Sequence, residues 1–322
     1  MTATLSNWRQ HPFSSWGFCN VDKLIAVEPI AGAKAEPLPP GPALDLAAIS
    51  IDGDDRRLTV AAALTATQTD GFLVLHDGKV VAETYGGVQD VAARHIVFSV
   101  SKSITGVLAG SLVADGILDP ERLVTQYAPE ARGSAYDGAT VRNLLDMTVN
   151  IRFVEDYVDP LGDVARYRVA MGWNPPGAVT SSDDLHGFIT KLSPGDGRHG
   201  ARFHYVSPNS DMLGWVIERA AGQRLHRLLS ERLWQPMGAS DDGFITVDRN
   251  GSPRSAGGIW VITAKKGTPT APCRAANGAG YLKQDSLIPL GKAAGLVDNK
   301  ICSLSDCESA MRFVIPKDQR AK

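Results

Sequence analysis

Ser99 and Lys102 stand three residues apart at the start of an apolar, helix-patterned run. At that spacing on a helix two side chains share a face, with ~5–6 Å between their Cβ atoms. A helix N-terminus also brings partial positive charge and free backbone N–H groups. A serine hydroxyl placed there can lose its proton to a neighbouring amine, and an oxyanion that develops can be met by backbone donors. Ser-x-x-Lys is a weak signal alone, because an N-cap serine followed by a surface lysine looks the same. Its context strengthens it. The apolar stretch Val97-Phe98 precedes it, and Ile104, Val107, Leu108, Ser111 and Leu112 recur at helical spacing behind it. The third candidate is Tyr205, in Phe203-His-Tyr-Val-Ser-Pro-Asn209 ahead of a helix read from Asp211 to Ala221. A phenol beside an ammonium gives up its proton more readily, so it can carry a proton from nucleophile to leaving group.

These residues need elements to position them. Phe72–His76 and Val80–Tyr85 flank Asp77-Gly78, which predicts a β-hairpin. Helices are predicted over Val100–Asp115, Thr140–Met147, Asp183–Leu192, Asp211–Ala221 and Leu225–Leu233. Strands first and helices after imply an α+β sandwich with a helical insertion. Residues 28–43, rich in Pro, Ala and Gly, read as an extended arm rather than a strand. From about Trp260 the apolar periodicity fades, and seven of the twelve lysines lie at or after Lys265. A frameshift or an altered gene end would produce such a change. The expectation is a frameshifted or disordered tail and a fold incomplete at its C-terminus.

Composition narrows the function. The formal charge of −2 and the lack of a basic stripe argue against nucleic acid as a partner. Cys19, Cys273, Cys302 and Cys307 form no C-x-x-C pair, so neither a metal site nor a cofactor is expected. The first ten residues lack a charged segment followed by an apolar one, and no apolar run approaches ~18 residues. A cytoplasmic protein with no membrane association is the expectation, with a homodimer left open. No Gly-x-Ser-x-Gly elbow, His-Glu-x-x-His or phosphate loop occurs.

Phe98-Ser-Val-Ser-Lys-Ser-Ile-Thr-Gly106 resembles the first motif of the superfamily of class C β-lactamases, penicillin-binding proteins and carboxylesterases. Tyr205-Val-Ser207 is similar to its Tyr-x-Asn motif. Glu155-Asp-Tyr-Val-Asp-Pro160, Gly172-Trp173 and Phe203–Asn209 further resemble the branch that includes 6-aminohexanoate-dimer hydrolase, in which serine also occupies the place of Ser207. The likeness runs over roughly residues 7–259. It implies a β-lactamase/transpeptidase-like antiparallel sheet flanked by helices, with residues 1–50 as an N-terminal arm, 51–259 as the domain and a helical subdomain at about 116–235. Residues 260–322 are the atypical tail. It also implies an acyl-serine hydrolase of small amides or esters. Ser99 would be the nucleophile, Lys102 its activator and Tyr205 the general base and acid. Tyr157 would bond the substrate amide nitrogen, Ser207 would orient Lys102, and Asn209 and Trp173 would line the substrate site. Two departures stand out. Arg168 occupies the place where amide-hydrolysing members carry an acidic residue, with Asp163 nearby, and it would repel a cationic amine. The family's third motif, a Lys or His on a late strand, has only Lys265-Lys266-Gly267-Thr268 as a counterpart. A catalytically impaired remnant that serves as a binding protein is the alternative.

Overall fold

The computed structural model describes residues 3–33, 38–52, 57–86, 93–177, 179 and 183–262. The tail beyond 262 lies outside the described residues, and with it the Lys265–Thr268 run and three of the four cysteines.

A short helix α1 (Ser14–Gly17) leads into strand β1 (Val27–Ile30). Then come β2 (Ser50–Asp52), β3 (Arg57–Thr59) and helix α2 (Val60–Ala66), whose first turn is capped by the Thr59 hydroxyl accepting from the Ala62 N–H at 3.1 Å. Strands β4 (Gly71–His76) and β5 (Lys79–Tyr85) form the expected hairpin. Asp77 and Gly78 both take positive φ there, 49° and 73°, as a tight two-residue turn requires. Strand β6 (Arg94–Ile96) runs into helix α3 (Val100–Ala114). Helices α4 (Val124–Tyr127), α5 (Val141–Leu145), α6 (Asp163–Ala170) and α7 (Leu185–Ile189) follow. Helix α8 (Ser207–Ala221) ends at Gly222 in the left-handed region (φ 62°), and α9 (Leu225–Leu229) passes into a π-helical turn at Ser230–Trp234. Strands β7 (Gly243–Thr246) and β8 (Ile259–Ile262) complete the described chain.

The principal sheet is antiparallel with order β1-β7-β8-β6, while β2–β3 and β4–β5 are separate pairs among the described residues. Two hydrophobic clusters result. The large one joins α3, α8 and the sheet to the helical region, and a small one of Leu46, Ile49, Val60 and Ala82 sits under the hairpin.

Several expectations change. The segment 28–43 contributes to a strand after all: Glu28, Pro29 and Ile30 pair with β7. Pro29 is tolerated because β1 is an edge strand. Nor do the described residues of the expected 1–50 arm lie loose. Trp8, Val21 and Ile30 are fully buried, and the Trp8 indole donates to the Trp173 carbonyl at 3.1 Å. The helix expected from Asp211 begins at Ser207, because Pro208 in its first turn needs no N–H partner. The helix expected from Asp183 begins at Leu185, where the Asp184 carboxylate accepts from the Gly187 N–H at 2.6 Å. In α3 the buried face is Ser101, Thr105, Leu108, Ala109 and Leu112, whereas Val107 is exposed. Two hydroxyls are tolerated there because both are bonded. Ser101 Oγ accepts from the Ile259 N–H at 3.1 Å, and Thr105 Oγ1 donates to the Ser101 and Ser255 carbonyls at 2.9 and 3.1 Å.

Candidate active site

The turn between β6 and α3 sets the nucleophile. Phe98 takes φ 40°, a left-handed conformation costly for an aromatic residue. Its ring is held by Trp8, Phe18 and Trp173, with centroids 6.3, 5.0 and 6.0 Å away. That strained residue lifts Ser99 to the mouth of α3. The Ser99 hydroxyl caps no N–H of its own helix, and its backbone N–H donates to no described residue. Both groups are therefore available to a reacting molecule.

Three side chains from distant parts of the chain meet at this point. The Lys102 ammonium donates to Ser99 Oγ at 3.0 Å, and the Tyr205 hydroxyl donates to Ser99 Oγ at 2.9 Å. The ammonium also lies 5.0 Å from the centroid of the Tyr205 ring. Helix α3 supplies the first two residues, one turn apart, and the extended segment ahead of α8 supplies the third.

Beneath them runs a buried ionic network that residue spacing did not reveal. Arg254, 6% exposed, pairs with Asp211, 1% exposed, and bonds the Tyr167 hydroxyl. Asp211 also accepts from the Ala256 N–H at 2.8 Å, and the Ala256 carbonyl accepts from Lys102 at 2.8 Å. The loop at 254–258 thus ties α8 to the base of the lysine. Two glycines permit this approach. A Cβ on Gly214 would lie 2.3 Å from Ser255 Oγ, and one on Gly258 would lie 2.2 Å from Thr246 Oγ1. A glycine inside an apolar helix and the Gly257-Gly258 pair before a strand were the available signals of that contact. Burial, and then the neighbouring Arg254 cation, bring Lys102 down to about 8. For Arg254 burial is the largest single influence and acts downward, but Asp211, Tyr167 and Glu155 together outweigh it and hold the guanidinium above its ordinary value.

Glu155 is a further residue to which sequence reasoning assigned no role. It accepts from the Tyr157 hydroxyl at 2.7 Å, from the Ser207 N–H at 3.0 Å, and from the Ser207 hydroxyl. It pins the loop carrying Tyr157 to the first turn of α8. The expected contact from Ser207 to Lys102 is therefore replaced: Ser207 spends its hydroxyl on Glu155, while Lys102 bonds Ser99 and Ala256. Burial and the bond to Glu155 push the Tyr157 phenol well up.

Two further expectations are corrected. Asn209 is fully buried in α8, its amide nitrogen 3.8 Å from Met147 Sδ, so it supports the helix rather than touching substrate. Trp173, 4% exposed, donates to Thr246 Oγ1 at 3.2 Å and packs on Trp8 and Phe98; it buttresses the nucleophile turn from behind. Arg168 does lie at the site, its guanidinium over the Tyr157 ring at 5.5 Å. Asp163 is turned away, bonded to Arg166 and to the Val154 N–H. Among the described residues no cluster of potential metal ligands occurs, and no helix is long and apolar enough to cross a membrane.

An antiparallel sheet backed by α3 and α8, with Ser99 and Lys102 opening one helix and Tyr205 preceding the other, defines a β-lactamase/transpeptidase-like fold. A solved chain from Bacillus anthracis, provisionally designated a 6-aminohexanoate-dimer hydrolase, shares that fold: TM-score 0.76 at 19% identity, over 82% of this chain and 70% of that one. The family described as Beta-lactamase matches residues 57–297, and the chain belongs to it. It is 37% identical over 261 residues to 6-aminohexanoate-dimer hydrolase of Paenarthrobacter ureafaciens, over 80% of this chain and 63% of that protein. Esterase EstB of Burkholderia gladioli is 29% identical over 203 residues, 60% of this chain and 49% of the esterase. The chain thus spans less than two thirds of the length of these relatives.

Proposed function

We propose that the protein is a serine hydrolase that cleaves small amides or esters through an acyl-serine intermediate. The observation that carries this reading is the convergence of the Lys102 amine and the Tyr205 phenol on one hydroxyl, at 3.0 and 2.9 Å. The names of its relatives, an amide hydrolase and an esterase, point the same way.

In the proposed cycle the Ser99 oxygen attacks the substrate carbonyl as its proton passes to the Lys102–Tyr205 pair. A lysine near 8 is partly a free amine at neutral pH, so it can lower the barrier to that transfer. The oxyanion is met by the unengaged Ser99 N–H at the positive end of α3. Tyr205 then protonates the departing amine or alcohol as the carbonyl re-forms, leaving the acyl group on Ser99. Water repeats the sequence: its proton goes to Tyr205, the acyl–oxygen bond breaks, and Ser99 regains its hydrogen. Tyr157, half exposed, near Tyr205 and held by Glu155, is the group proposed to bond the leaving-group nitrogen. The cytoplasm is the proposed compartment, on a composition with four cysteines and no paired spacing among them.

The test is a fluorophosphonate probe followed by peptide mass spectrometry, alongside burst kinetics with p-nitrophenyl butyrate. Phosphonylation of Ser99 and a burst of one chromophore per chain support the reading. An unlabelled Ser99 and no burst would leave a non-catalytic binding protein instead.

A further inference from the structure

Arg9 and Arg168 meet where the N-terminal segment crosses the end of α6. The main-chain carbonyl of Arg168 accepts from the Trp173 and Asn174 N–H groups at 2.8 and 3.1 Å. Arg9 reaches the same turn from the other side, donating to the Trp173 carbonyl at 3.0 Å and to the Asn174 side-chain oxygen. Arg168 donates to the Tyr157 carbonyl at 3.2 Å and lies over the ring of that residue. Among the described residues, neither guanidinium has a carboxylate within ion-pair distance, although ten other Lys or Arg side chains do.

The nearby carboxylates are already engaged. Asp163 is paired with Arg166, Asp211 with Arg254, and Glu155 is occupied by Tyr157 and Ser207. Two neighbouring, partly buried arginines with no carboxylate in direct ion-pair contact are electrostatically costly, even with Glu155 acting on Arg168 from a longer distance. Burial and the proximity of Arg168 bring Arg9 down to about 9, and burial lowers Arg168 as well. Guanidinium N–H groups left over from carbonyl contacts suit the paired oxygens of a carboxylate. Tyr157, whose ring lies beneath the Arg168 guanidinium, is exposed, and so are Val154 and Val158 on the same segment of chain.

We infer that Arg9 and Arg168 form a carboxylate subsite, so that the preferred substrates are amides or esters carrying an anionic group at the far end of an apolar chain. This rests on the hydrolase reading of Ser99 for turnover, but not for binding. A substrate with a cationic amine in the same place is disfavoured.

The experiment uses three p-nitrophenyl esters of equal chain length: the anionic monoester of adipic acid, the neutral ester of hexanoic acid and the cationic ester of 6-aminohexanoic acid. The wild-type kcat/KM is expected to fall in that order, by about tenfold from anionic to neutral. Arg168→Gln should remove most of that difference, and Arg168→Glu should invert the order. The same compounds are titrated into Ser99→Ala by tryptophan fluorescence, which reads binding without chemistry. The order holding in Ser99→Ala while wild type turns nothing over would sink the hydrolase reading and leave the subsite standing. Turnover with a flat order, a preference for the cationic ester, or an Arg168→Gln variant with the wild-type ratio would each overturn the subsite.

Discussion

Two polar clusters lie along α3 and α8, one open to solvent and one sealed beneath it. The upper one is Ser99, Lys102 and Tyr205, with Ser99 and Tyr205 at the surface. The lower one is Asp211, Arg254 and Tyr167, all nearly inaccessible. They are joined through one residue, Ala256, whose N–H is held by Asp211 and whose carbonyl is held by Lys102. The difference is one of purpose. A buried ion pair with its hydrogen bonds made contributes little net stability, yet losing one partner is severe. The lower cluster therefore holds position, while the upper cluster is left with weak, replaceable bonds that a substrate can displace.

That contrast can be broken at either end. The largest effect is expected on chemistry alone. Ser99→Ala should reduce ester hydrolysis by roughly 10⁴-fold or more while shifting stability by less than about 1 kcal/mol. Rate assays and thermal melts on one preparation would show it, and a large loss of Tm would contradict the division. Asp211→Ala should do the reverse, costing about 3–5 kcal/mol by stranding Arg254, with a Tm lower by about 10 °C in calorimetry. A full-strength Tm there would mean that the lower cluster does not hold the loop at 254–258.

The link between the clusters appears in the pH profile. Lys102 acts as a base only when neutral, and its value is about 8, so kcat/KM should rise with pH and reach half its plateau near there. An inflection near the ordinary lysine value, or none at all, would detach the amine from the reaction. The smallest effect is expected from Glu155→Ala. It frees the Tyr157 loop from α8, and a KM increase of about tenfold with kcat less affected is the expected outcome in steady-state assays. An unchanged KM would show that the loop is placed by Arg168 and its other contacts alone.

Legibility in the sequence followed the same division. Ser99 and Lys102 could be paired because one helix carries both, and the local pattern of that helix is strong. Tyr205 could be nominated but not located. The hairpin turn at Asp77-Gly78 was readable because two residues alone set its geometry. Asn209 and Trp173 were misjudged, since a polar or aromatic side chain near a motif can face inward as easily as outward. Glu155, Asp211 and Arg254 were not assigned because their roles depend on partners 43 to 52 residues away.

What the sequence determined by itself is local: a nucleophile and an amine one helical turn apart, the hairpin, and the order of early strands followed by helices. Tertiary structure alone decided that Tyr205 closes on Ser99, that Val27–Ile30 becomes an edge strand, and that Arg9 and Arg168 come close without a carboxylate in direct ion-pair contact among the described residues. The physical reason is range. Hydrogen bonding along the backbone and side-chain periodicity act within a few residues, whereas charge pairing and burial depend on which distant segments the fold brings together.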